Sequence, residues 1–120
     1  DSGAPKFLQR AVTMALGAYE EGERPQMVKD NIAVYQRRRN VLVTGLRRLG
    51  FKVDPPKGTF YLWLKVDGPS LEFAERLLSA GVVVTPGIGF GRNGEGYVRM
   101  ATTQPVERIE EALERMAKVL

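Results

Sequence analysis

The hydrophobic period of this chain changes at Gly50, and few architectures accommodate that change. Ahead of Gly50, apolar residues recur at helical spacing. Beyond it, short alternating runs of strand type are separated by one more helical pattern before a last helix closes the chain. Long helices followed by a short, interrupted sheet read as an α+β fold.

The first helix is predicted over Pro5 to Tyr19, where Phe7, Leu8, Ala11, Val12, Ala15, Leu16 and Tyr19 form a broad apolar face. That face is wider than the segment after it can cover, so it reads as a surface made for a larger body. Glu20 to Pro25 breaks the pattern, with Gly22 and Pro25 as punctuation. From Pro25 to Leu49 a second helix is predicted. Val28, Ile32, Tyr35, Leu42, Leu46 and Leu49 make its stripe, and Arg39 fills the remaining slot. Arg37, Arg38, Arg47 and Arg48 fall mainly off that stripe, so a solvated helix face accounts for most of the net charge of +4. Interleaved stacking aromatics and a familiar recognition motif are lacking, which argues against nucleic acid as a partner.

After Gly50, Thr59 to Val66 alternates Phe60, Leu62, Leu64 and Val66 against Tyr61, Trp63 and Lys65, the pattern of a strand. Ser70 is placed to cap a helix carrying Phe73, Ala74, Leu77 and Leu78, and Gly81 to stop it. Val82 to Thr85 and Tyr97 to Thr102 are the next strands. Pro105 opens a last helix with Val106, Ile109, Leu113, Met116 and Leu120 on one face and a Glu111–Arg115 pair on the other. The expected small domain is therefore a sheet of about three strands against helices, in the order β-α-β-loop-β-α.

With no cysteine and no histidine, the chain cannot build disulfides, thiolate or imidazole catalysis, or the usual zinc and copper sites. Chemistry of its own would have to use carboxylates, tyrosines or lysines. No metal site is expected. Neither a secretory leader nor an apolar run of membrane-spanning length is visible, so the sequence reads as cytoplasmic with no membrane partner.

Arg99 is the residue that stands out chemically. It is the lone charge in the strand Tyr97 to Thr102, sharing one face with Tyr97 and Ala101 while Val98 and Met100 take the other. Its planar fork of donors suits a carboxylate or phosphate. The competing reading is an edge-strand arginine in a structural ion pair or in solvent. The loop ahead of it, Gly89 to Gly94, satisfies G-x-G-x-x-G letter for letter, yet it leads into a strand. A dinucleotide-binding turn must lead into a helix. Its glycines are expected to supply positive φ and to bring backbone close to a ligand or another domain.

Three strings in order carry a resemblance: Gly58-Thr59-Phe60-Tyr61-Leu62-Trp63, then Gly81-Val82-Val83-Val84-Thr85-Pro86-Gly87 with Phe90-Gly91, then Gly94-Glu95-Gly96-Tyr97-Val98-Arg99-Met100-Ala101. Together they resemble the C-terminal small domain of class I/II aminotransferases, pyridoxal-phosphate enzymes of fold type I. The resemblance covers nearly the whole chain. It implies that residues 1–24 are the end of a large domain, 25–50 the long inter-domain helix and 51–120 the small domain.

The resemblance further implies that Arg99 binds the substrate α-carboxylate, a positioning role. Pro86, Gly87, Phe90 and Gly91 would belong to a loop that moves as the site closes. The lysine that bonds the cofactor in this family lies in a serine-rich stretch that does not occur here. Lys6 follows Ser2 but opens an amphipathic helix, and the family places its lysine earlier. No catalytic or cofactor-binding residue is therefore expected in this chain. Pyridoxal 5'-phosphate would be held by the missing large domain, leaving the chain inactive alone. Implied partners are amino-acid and 2-oxo-acid substrates, that large domain, and a second subunit in a homodimer; Asp1, Ser2 and Gly3 resemble a loop near the dimer interface. The run from Gly81 to Ala101 most resembles the branch acting on diaminopimelate or its succinylated precursor, and aspartate and aromatic aminotransferases share much of it. The alternative is a stand-alone α+β module that binds a small carboxylate without catalysis.

Overall fold

The computed structural model describes residues 3–19 and 22–120. Asp1, Ser2, Glu20 and Glu21 lie outside the described residues, so the interface resemblance of the first two and part of the predicted break do too. The chain divides into two compact units, Asp1–Val34 and Tyr35–Leu120.

The first unit contains α1, Lys6–Gly17, and the start of α2, Gln26–Arg48. Pro5 precedes α1, and Lys6, the lysine set aside above, is its first, exposed residue. Nothing on α1 is buried, and Phe7, Val12, Met14 and Leu16 are each more than half exposed.

The second unit holds the rest of α2, then β1 (Tyr61–Lys65), α3 (Ser70–Ser79), β2 (Thr85–Pro86), β3 (Tyr97–Ala101) and α4 (Val106–Met116). The three strands form an antiparallel sheet in the order β1-β3-β2. This is the α+β architecture expected. Leu62 and Leu64 of β1 and Val98 and Met100 of β3 point to one face, where Leu42, Val43 and Leu46 of α2, Phe73 and Leu77 of α3, and Ile109 and Met116 of α4 complete a core. Period-two alternation on the strands and helical stripes on three helices thus close on one apolar volume.

Two helices end by the same device. Gly81, at φ +74°, follows α3; its N–H donates to Leu78 and that of Val82 to Leu77. Gly50, at φ +92°, follows α2, with Gly50 donating to Arg47 and Phe51 to Leu46. Both are Schellman endings that satisfy the last carbonyls, and both were legible as glycine stops.

The α3 ending shortens the strand expected at Val82 to Thr85. The Val82 N–H is committed to the helix, and pairing with β3 begins only at Thr85. Pro86 then fits because β2 is an edge strand. β1 is also shorter than Thr59 to Val66, although single bonds extend its pairing at both ends. The Thr102 N–H donates to Phe60 at 2.8 Å and the Val66 N–H to Gly96 at 2.8 Å. Buried Thr102 also donates its hydroxyl to Phe60, so the strand predicted to reach Thr102 ends in that contact.

The arginines of α2 do more than face solvent. Arg47 donates twice to the Val53 carbonyl, Arg39 to that of Pro56, and Arg38 to that of Thr103. They fasten the segments flanking the sheet by supplying donors to loop carbonyls, which corrects the solvated-face reading for Arg38 and Arg47 and gives Arg39, on the stripe, an acceptor. The predicted Arg115–Glu111 pair is present on α4, joined by Arg108.

Candidate functional site

Arg99 sits at the middle of β3, opposite Trp63 of β1 on one side and Thr85 of β2 on the other. β3 is the central strand, so the edge-strand reading does not hold. Alternation sends the side chain away from the core, onto the face that carries Tyr61, Trp63 and Tyr97. There the guanidinium carbon lies 4.0 Å from the centre of the Tyr61 ring and 4.5 Å from that of Phe90. Phe90 also meets Trp63 edge-on at 5.1 Å.

A cation between two π faces is held in plane by stacking, with its N–H edges left for an acceptor. Among the described residues, the ion pairs are Lys29–Glu23, Arg108–Glu111 and Arg115–Glu111, and none includes Arg99. Beside it, Trp63, Phe90, Asn93, Gly94 and Tyr97 line an open cleft of about 450 Å³. The arrangement is suited to taking up a small carboxylate.

Phe90 reaches Arg99 from the loop between β2 and β3, which is folded into two 3₁₀ turns, Gly87–Phe90 and Arg92–Gly94. The turns touch through backbone. A Cβ on Gly87 would come within 1.9 Å of the Gly94 carbonyl oxygen, and one on Gly94 within 2.1 Å of the Gly87 oxygen. Of the motif's glycines, Gly91 has the positive φ expected and Gly89 and Gly94 do not, and the close backbone approach expected toward a ligand or another domain occurs inside the loop itself.

Glu95 ties this loop to α3. Its Oε1 accepts the Ser70 N–H at 2.6 Å and the Gly96 N–H at 3.2 Å, and its Oε2 accepts the Ser70 hydroxyl at 3.2 Å. The Ser70 oxygen in turn accepts the Ile88 N–H at 3.2 Å. Ser70 is therefore not the helix cap its position suggested. Pro69 precedes the helix, and fully buried Ser70 is its first residue, served by a carboxylate 25 positions away. The Ser70 N–H first, and then that of Gly96, hold the Glu95 carboxyl below its ordinary value, against some desolvation. Glu95 and Ser70 were missed as a pair because their contact is long-range. Tyr61 and Phe90 were visible as residues, but their meeting over Arg99 follows only from strand pairing.

Among the described residues, the Arg99 face of the sheet bears one lysine, Lys65, which is exposed and paired with Tyr97 two positions from Arg99. The nearest ready-made anion site, the start of α3, already holds the Glu95 carboxylate. These residues do not fit pyridoxal phosphate.

Residues 2–116 match the family of class I and II aminotransferases. The chain belongs to that family. It is 44% identical over 120 residues to the LL-diaminopimelate aminotransferase of Gloeobacter violaceus, a match covering 97% of this chain and 29% of that relative. Among solved structures, a Pyrococcus protein described as protein-A1 superposes with a TM-score of 0.83 at 36% identity, covering 95% of this chain and 30% of the other. An aromatic aminotransferase from Pyrococcus horikoshii superposes with a TM-score of 0.76 at 38% identity, covering 79% and 26%. The chain thus spans about 30% of the length of its aminotransferase relatives and corresponds to a part of such an enzyme. No helix among the described residues is long and apolar enough to cross a membrane.

Proposed function

We propose that this chain supplies the substrate-carboxylate anchor, and part of the closing loop, of a pyridoxal-phosphate aminotransferase. The observation that carries the reading is Arg99, a stacked guanidinium on an open sheet face with no carboxylate partner among the described residues. The parent enzyme exchanges an amino group between an amino acid and a 2-oxo acid, and the cofactor, bound by other residues, supplies the electron sink. Arg99 grips the carboxylate common to both substrates with paired donors and so fixes the orientation of the reacting carbon. Phe90 and the Gly87–Gly94 loop cover that grip and exclude water as the site closes.

In this reading residues 1–24 end the large domain, 25–50 form the connecting helix and 51–120 the small domain. The exposed apolar face of α1 supports the first assignment, since it needs a larger body to cover it. The parent is a cytoplasmic homodimer, and the chain alone, lacking the family's lysine stretch, is inactive. The names of the relatives favour a substrate of the diaminopimelate class.

The test is Arg99→Ala in the parent enzyme. Catalytic efficiency toward both substrates should fall by about 2 to 5 kcal/mol in transition-state terms while the cofactor's absorption spectrum is unchanged. Arg99→Lys should restore only part, because one ammonium cannot reproduce the fork. Normal efficiency in Arg99→Ala would remove it from the site and leave the alternative, carboxylate binding without catalysis, without its anchor as well.

A further inference from the structure

Between β2 and β3 the loop is joined to the rest of the chain, among the described residues, by side-chain hydrogen bonds of one cluster only: Glu95 to Ser70, and Ser70 to Ile88. The mutual contact of Gly87 and Gly94 holds the two 3₁₀ turns to each other. The Glu95 cluster is what holds them to α3. Ile88, the residue it grips, is two positions from Phe90, and Phe90 is one of the two rings that flank the Arg99 guanidinium.

We propose that Glu95 is a positioning residue for the carboxylate site: by bonding the start of α3 it holds the loop in place and keeps Phe90 stacked on Arg99. This rests on the reading of Arg99 as the carboxylate anchor. Three features support the chain of action. Glu95 accepts three hydrogen bonds from two separate segments, and among the described residues it has no cationic partner that would give it another role. The Ser70 N–H that it accepts opens α3, where a backbone amide has no acceptor within the helix. Ser70 is fully buried and passes the contact on, its hydroxyl donating to Glu95 while its oxygen accepts from Ile88. Released from this cluster, the loop would spend part of its time away from the sheet, and only the docked fraction would present Arg99 in its stacked plane.

The variants to compare are Glu95→Ala, Glu95→Gln and Ser70→Ala in the parent enzyme. If the docked fraction falls to a tenth, apparent substrate affinity falls about tenfold. Glu95→Ala should therefore raise KM for amino acid and oxo acid by about tenfold while kcat changes less than about twofold. Glu95→Gln keeps an oxygen for the Ser70 and Gly96 N–H groups and should recover most of the loss. Ser70→Ala breaks the relay to Ile88 and should fall between them. It carries the test if Glu95→Ala fails to fold.

A second readout needs no turnover. Trp63, the single tryptophan of this chain, contacts Phe90, so its emission in the 120-residue chain should shift to the red in Glu95→Ala and stay put in Glu95→Gln. A wild-type KM in folded Glu95→Ala overturns the proposal, whether or not emission shifts. So does a Gln variant as impaired as Ala, which would make charge rather than bonding responsible. If Arg99→Ala itself leaves KM unchanged, the carboxylate reading has failed; loss in Arg99→Ala with a silent Glu95→Ala overturns the positioning role alone.

Discussion

The two faces of the small sheet are built from the same strands and solve opposite problems. On one, Leu62, Leu64, Val98 and Met100 are closed over by three helices to make the core. On the other, Tyr61, Trp63 and Arg99 are joined by Phe90 from a loop, and the cation has no ion-pair partner among the described residues. Alternating residues of one strand thus divide the work: Val98 and Met100 contribute stability, whereas Arg99 between them contributes binding. A strand secured by its buried face can hold an arginine in fixed register without an ion pair to anchor it.

That division can be broken experimentally. Leu64→Ala removes a completely buried side chain and should destabilise by about 2 to 5 kcal/mol in urea unfolding, with KM unchanged in the molecules that remain folded. Arg99→Ala should do the reverse, a large loss of substrate binding with a stability change within about 1 kcal/mol, since the side chain is only partly buried and has no ion pair among the described residues. If Arg99→Ala unfolds the domain, the two faces are not independent. Phe90→Leu keeps an apolar cover but removes one π face, and binding should weaken by about 0.5 to 2 kcal/mol, read from KM at constant kcat.

Acid sharpens the same comparison by the smallest amount. Glu95, lowered by the Ser70 and Gly96 N–H groups, and Glu111, lowered by its hydrogen bond from Arg115 and by nearby Arg108, both titrate below their ordinary value. A depressed folded-state pKa means that the stabilisation is fully present above the unfolded value, about 4.3, and is lost as pH falls through the lower folded value. The thermal midpoint of Glu95→Gln should therefore differ from wild type by a constant amount between about pH 8 and pH 5, and the difference should shrink as pH falls below about 4.3 and through the lower folded value. Convergence near neutrality would show that the carboxylate is not held ionised by those amides.

What the sequence made legible follows from the range of each interaction. Helical stripes, glycine stops and strand alternation are local, and they located α1, α2, β1, α3, β3 and α4 to within a few residues. Arg99 stood out for the same local reason, a charge inside an uncharged strand. Val82 to Thr85 was over-read because β-branched residues favour extended backbone, and nothing in the run reveals that the Val82 N–H belongs to the preceding helix. Ser70 carried a correct residue type for a cap, yet its partner turned out to be Glu95, a contact across 25 positions with no periodic signature. Arg38 and Arg47 of α2 misled in a similar way, because the loop carbonyls that accept from them are invisible in a helical wheel.

The interlock of Gly87 and Gly94 has a consequence for anyone wishing to retune this loop. Each glycine would drive a methyl group into the other's backbone, so a substitution at one position cannot be rescued by a substitution at the other. Diversity has to enter where space is open, and Gly89, with nothing within 4 Å of an added Cβ, offers such a place one residue from Phe90. A library spread evenly over the loop would be emptied by two of its positions; one that leaves both glycines alone could explore new covers for the carboxylate.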